Sequence, residues 1–242
     1  MVRFQEANVL VSKAEPSETV LQAYRDAFHY VDPLDEARKT AFHEACHAVA
    51  NISLGIRFSS ITIMPSGTGS GGVVRGTDAT DPTGDAISTL AGAFAAFLME
   101  DIDSLAISIS NDVGQVMANI MCIVAKVDNP LSGTAEPDAI TTSLSELWIK
   151  TCDLMHRPDV LTAVAKLMSE LLRAGTLSGE DAAIIVSAAL KEQPTADLSA
   201  AAHTLREQME LFGDRKLQQY STRFLDETGK ALDPACYRDW FD

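Results

Sequence analysis

The chain has 242 residues, of which 46% are hydrophobic and 22% charged, the balance of a folded globular protein long enough to bury a real core. Its 34 acidic and 19 basic side chains leave a net charge of −15, and no stretch is dense in Lys and Arg. Such a surface repels phosphate backbones and anionic bilayers, so neither nucleic acid nor a membrane is expected as a partner.

From the N-terminus, residues 1–36 read as a lead segment. Its first residues carry an early Glu6 and no sustained apolar run, a poor secretion signal. Val20, Leu21, Tyr24 and Phe28 then follow Pro16-Ser17-Glu18 at helical spacing, and Asp32-Pro33 interrupts that helix. A helical pattern runs from Glu36 to about Leu54, with Gly55 as its C-terminal cap. Ser60 to Pro65 alternates and is rich in β-formers, which predicts a strand closed by proline, and a second short strand is expected at Val73-Val74 after the glycines of 67–72.

Residues 84–100 read as an Ala-rich, mostly buried helix. Its nearly apolar core, Ala86 to Met99, is too short to span a bilayer. A further helix is predicted from about Asn111, with Val113, Val116, Met117, Ile120, Ile123 and Val124 on one stripe. An exposed loop is expected at 128–138. Pro158 opens a helix carrying Val160, Val164, Leu167, Met168, Leu171 and Leu172 as far as Gly175, and Ser178 caps another that runs to about Leu190. A last helix is expected over Leu198–Leu211, followed by a polar tail. The fold class is mainly α (α+β), a helical domain with a small β-sheet beside its chemically important helix. Cys46, Cys122, Cys152 and Cys236 form no Cys-x-x-Cys pair, so free thiols in a cytoplasmic protein are expected.

The chemistry concentrates in His43-Glu44-Ala45-Cys46-His47, a His-Glu-x-x-His motif inside a helical segment. Four residues advance a helix by roughly 400°, so the two imidazoles project from one face, one turn apart, and reach one Zn²⁺. Glu44 is rotated by roughly 100° from His43, which keeps it out of the coordination shell but within reach of an attacking water. Zinc is the cofactor this pattern calls for, with Glu44 as general base and peptide-bond hydrolysis as the reaction. The third ligand is open at this level: Ala50 and Ser53 stand where an extended motif would carry glycine and histidine. His29, His156 and His203 lie in no motif, and Glu100, Asp101, Asp103 and Asp112 are all candidate carboxylates. Asp112 borders its helix's apolar stripe, although an acid in a first helical turn is also what the helix dipole favours.

Arg38 to Val49, followed by Leu54-Gly55-Ile56 and Ser60 to Pro65, resembles the protease domain of the FtsH family, the AAA+ zinc metallopeptidases. Ser110-Asn111-Asp112-Val113 is similar to the segment that carries that family's aspartate ligand. His156-Arg157, with Leu161, Ala165, Leu171-Leu172, Gly175-Thr176-Leu177 and Glu180, is similar to its C-terminal helical pair. The resemblance spans roughly residues 37–190 and implies His43, His47 and Asp112 as zinc ligands with Glu44 as catalytic base. It divides the chain into a lead segment (1–36), a peptidase domain (37–190) and a C-terminal helical extension with a tail (191–242).

Departures are equally specific. Cys46 stands where the family has glycine, either as a small packing residue or as a redox-sensitive thiol beside the metal; Ala93 and Ala96 replace an expected Arg and Glu. No Gly-x-x-x-x-Gly-Lys-[Ser/Thr] phosphate loop occurs. The expected activity is therefore a zinc endopeptidase acting on unfolded chains or peptides, independent of ATP or served by an ATPase unfoldase in trans. Two alternatives stand beside it: a non-catalytic zinc-binding module that serves protein interaction or regulation, and a zinc hydrolase of small amides. The strand at 60–65 offers a backbone edge for an extended substrate, or is an ordinary sheet strand.

Overall fold

The computed structural model describes residues 15–28, 32–65, 72–75, 81–99, 106–127 and 134–193. Within them the chain forms α1 (Glu18–Ala27), α2 (Pro33–Ser53), β1 (Phe58–Thr62), β2 (Gly72–Arg75), α3 (Pro82–Met99), α4 (Ala106–Ala125), α5 (Pro137–Met155), α6 (Pro158–Ala174), β3 (Thr176–Ser178) and α7 (Gly179–Ala189). This is the mainly helical architecture with a small sheet that the sequence implies. The predicted helix over 198–211 lies outside the described residues, as do the glycines of 67–71 and most of the loop at 128–138.

Helix α2 is the centre of the molecule, packed against α1, α3 and α6. Asp32 and Pro33 start it rather than merely ending its predecessor: the Asp32 carboxyl accepts from the Leu34 N–H at 3.0 Å, and Pro33 takes a position that needs no N–H bond. The helix therefore begins three residues earlier than the periodicity suggests. It stops at Leu54, after which Gly55 takes φ +74°, the left-handed conformation that ends helices. Every side chain from Thr40 to Asn51 is buried, so this segment is enclosed on all sides and not merely on one face.

Around it, α3 packs on α2 and in turn receives α4 and α5, while α6 packs on α2 and receives α7. Val20 and Tyr24 of α1 join the same core as α2 and α6. Ser17 N–H donates to the Leu172 carbonyl at 2.8 Å and the Tyr24 hydroxyl to the Ile63 carbonyl at 2.7 Å, tying α1 to α6 and to the chain leaving β1. No helix of the described residues is long and apolar enough to cross a membrane.

The strands form one antiparallel sheet in the order β2-β1-β3, with Ile61 opposite Val73 on one side and Leu177 on the other. Two corrections follow. The segment 176–178, which the sequence reading left between two helices with no element of its own, is a strand. β1 ends at Thr62 instead of Pro65 and is the middle strand, so its backbone edges are both taken and cannot pair with a substrate. Helix α5 is the largest element that the sequence reading did not assign, although Ile140, Leu144, Leu147, Trp148, Thr151, Cys152 and Met155 are buried at helical spacing along it.

Candidate metal centre and active site

His43 and His47 lie one turn apart on α2, and their Nε2 atoms approach to 3.1 Å. Asp112 comes from α4, and its Oδ2 lies 3.2 Å from each of those nitrogens. Among the described residues these three form a cluster able to hold a metal ion. Glu100, Asp101, Asp103, His29 and His203 lie outside the described residues. His156 is placed elsewhere: its Nδ1–H donates to the Cys152 carbonyl at 2.6 Å, and its ring meets Phe94 edge to face.

α4 begins at Ala106, five residues before the expected start, which moves Asp112 into the second turn. The field of a helix terminus fades within its first turn, so the dipole does not account for an acid here. Proximity to two imidazoles does. Burial by itself would raise the Asp112 carboxyl, but His47 and His43 together hold it well below the usual carboxylate range.

Three observations show that the cluster fits a divalent ion such as zinc. His47 Nδ1 lies 2.8 Å from the Ser88 carbonyl on α3, which can only accept, so this nitrogen carries a proton and Nε2 is the ring nitrogen turned toward Asp112. With a cation between them, that nitrogen and the Asp112 oxygen, 3.2 Å apart, would both face it as donors. The spacing also agrees, because ligand atoms about 2.0–2.1 Å from a tetrahedral ion stand about 3.3–3.4 Å apart. Finally, Gly92 of α3 faces the rings, and a Cβ there would lie 2.1 Å from His47 Nε2 and 2.8 Å from His43 Cε1. Only a glycine leaves room for both imidazoles.

Glu44 is buried beside this cluster. Burial pushes its carboxyl up to about 7, with nearby His43 pulling it down and Asp112 adding to the rise. A group with that affinity can both take and return a proton near neutral pH. Cys46 is fully buried, and burial pushes its thiol far above the ordinary range, which fits a packing residue and not a reactive thiolate. The sequence reading missed the Ser88 carbonyl and the steric role of Gly92. Only the fold shows which rings this glycine faces.

Residues 27–131 match the family model described as Peptidase M50B-like. The matched stretch runs from the end of α1 through α4 and so contains His43, Glu44, His47, Gly92 and Asp112. It supports a peptidase, a hydrolase of peptide bonds. Comparison with curated proteins gave no match.

Proposed function

We propose that this protein is a zinc-dependent endopeptidase that cleaves unfolded chains or peptides, with His43, His47 and Asp112 as zinc ligands and Glu44 as general base. The observation that carries this reading is the convergence of two imidazole nitrogens and one carboxylate oxygen within 3.1–3.2 Å of one another, beside a buried glutamate. Zinc bound by these residues would supply Lewis acidity to the attacking water and the scissile carbonyl. Ser88 fixes the His47 tautomer, and Gly92 keeps the space in which both rings meet. Glu44 takes a proton from the attacking water onto its carboxylate and delivers it to the leaving amine nitrogen.

The resemblance to the FtsH protease domain supports the same assignment of roles, and we propose an activity independent of ATP or coupled to an unfoldase in trans. We place the activity in the cytoplasm, with polypeptide as substrate. Since β1 is internal to the sheet, a substrate strand pairs, on this reading, alongside β2, which among the described residues adjoins only β1 and also packs against α2.

The test uses purified protein with measured zinc content and a casein-like unfolded chain. Wild type should cleave it in a chelator-sensitive way, while Glu44→Gln retains zinc and loses activity by at least about a hundredfold. A Glu44→Gln protein that cleaves as fast as wild type refutes the mechanism. Stoichiometric zinc without any chelator-sensitive cleavage by wild type would point to the non-catalytic module instead.

A further inference from the structure

His43 and His47 share a helix, so their mutual geometry is intrinsic to α2. Asp112 is different. It arrives on α4, which packs chiefly on α3 and α5, and α3 in turn packs on α2. The position of the carboxylate is therefore relayed through α3. Both helices contribute apolar side chains to one buried core, Leu90 and Phe94 from α3 and Val116, Met117 and Ile120 from α4. Apolar burial is non-directional and fixes axial register weakly. A slip of one residue moves Asp112 by about 1.5 Å along the helix and about 100° around it, enough to withdraw its oxygen from a bond about 2.0–2.2 Å long.

The directional contacts across this joint centre on Asp85 of α3, which is 6% exposed. Its Oδ2 accepts from Gln115 Nε2 at 3.0 Å and from Asn119 Nδ2 at 2.7 Å, both on α4. Gln115 and Asn119 lie three and seven residues after Asp112, on the same face of the helix. Asp85 sits three residues before Ser88, whose carbonyl receives the His47 ring. The three helices thus close a polar circuit: α2 to α3 through His47 and Ser88, α3 to α4 through Asp85, Gln115 and Asn119, and α4 back to α2 through Asp112.

We propose that Asp85 is the positioning residue of the metal centre, setting the register of α4 so that Asp112 reaches the ion. This rests on the zinc-ligand reading above. The helix dipole favours an acid in the first turn of α3, but it does not explain why two amides from a neighbouring helix converge on this one.

A double-mutant cycle tests the proposal, with zinc affinity read by chelator competition and folding by circular dichroism. Asp85→Ala and Asn119→Leu should each weaken zinc binding about 10- to 100-fold. In an Asp112→Ala background the same substitutions should have almost no further effect, because the ligand they position is gone. Asp85→Asn keeps an oxygen acceptor for both amides and should restore most of the affinity. Unchanged affinity in both variants, or an equal loss with and without Asp112, overturns the proposal while leaving the zinc site standing. If Asp85→Ala does not fold, Asn119→Leu decides alone: a loss that needs Asp112 supports the positioning role, and any other result overturns it. Wild-type protein that takes up no zinc overturns the ligand assignment itself, and the positioning role with it.

Discussion

At the scale of single residues, the chemistry depends on one missing methyl group and one misplaced proton affinity. Gly92→Ala puts a Cβ 2.1 Å from His47 Nε2, so a ring must move and the cluster opens. Zinc affinity should fall by about a hundredfold or more, measured by chelator competition, with helical content unchanged by circular dichroism. The base proposed here, Glu44, can take a proton only when ionised, and burial lifts its carboxyl to about 7. Below that point each pH unit removes about tenfold of the active form, so kcat/KM should decline toward acid with a slope of one. The positive charge of a bound ion favours the carboxylate, which sets the midpoint of this limb at or below 7 and not above it. An acid limb with its midpoint above 7 would remove Glu44 from the role. Cys46, buried with its thiol held protonated, should resist aromatic disulfide reagents in the native protein and react once the chain is unfolded.

Elements were legible where a local signal dominated. The His-Glu-x-x-His pair could be read directly because its geometry lies within one helix turn. The ends of α6 and α7 could be read from Pro158, Gly175 and Ser178, each of which acts within its own turn. Asp112 was different, since four carboxylates competed for its role and nothing local says how far α4 extends toward its N-terminus. The strand at Thr176–Ser178 has only three residues and exists because β1 offers it an edge, with Thr62 and Thr176 hydroxyls 2.7 Å apart across the pair. Gly179 follows so closely that a Cβ there would lie 1.9 Å from the Phe58 carbonyl oxygen, a constraint invisible without the neighbouring strand. Helix α5 had a readable stripe, yet it carries no motif, and a reading led by chemistry passed over it. Its weight in the fold is structural. Trp148 is among the largest fully buried side chains, on a helix packed against α3. Trp148→Ala should cost about 3–5 kcal/mol in chemical denaturation, much as other buried aromatic truncations do.

For the molecule as a whole, a metal held by α2 and α4 would be a crosslink between distant parts of the chain. Ligands that exist together only in the folded state convert binding energy into folding stability. With zinc free at a thousand times its dissociation constant, the gain is about 4 kcal/mol. Chelation should accordingly lower Tm, readmission of zinc should restore it, and Asp112→Ala should blunt both effects. A Tm indifferent to chelator and to zinc would mean that the cluster is not occupied as described.

The stitching of α1 has a practical corollary for anyone trimming this protein. Ser17 and Tyr24 clasp the ends of α6 and β1, and Val20 and Tyr24 fill the core beneath them. A fragment begun at residue 37, where the family resemblance starts, would lose those plugs along with the Asp32 cap of the histidine-bearing helix. It would leave a greasy trench open along the backbone that holds the reactive groups, and should precipitate or fray where a fragment begun before Pro16 stays intact.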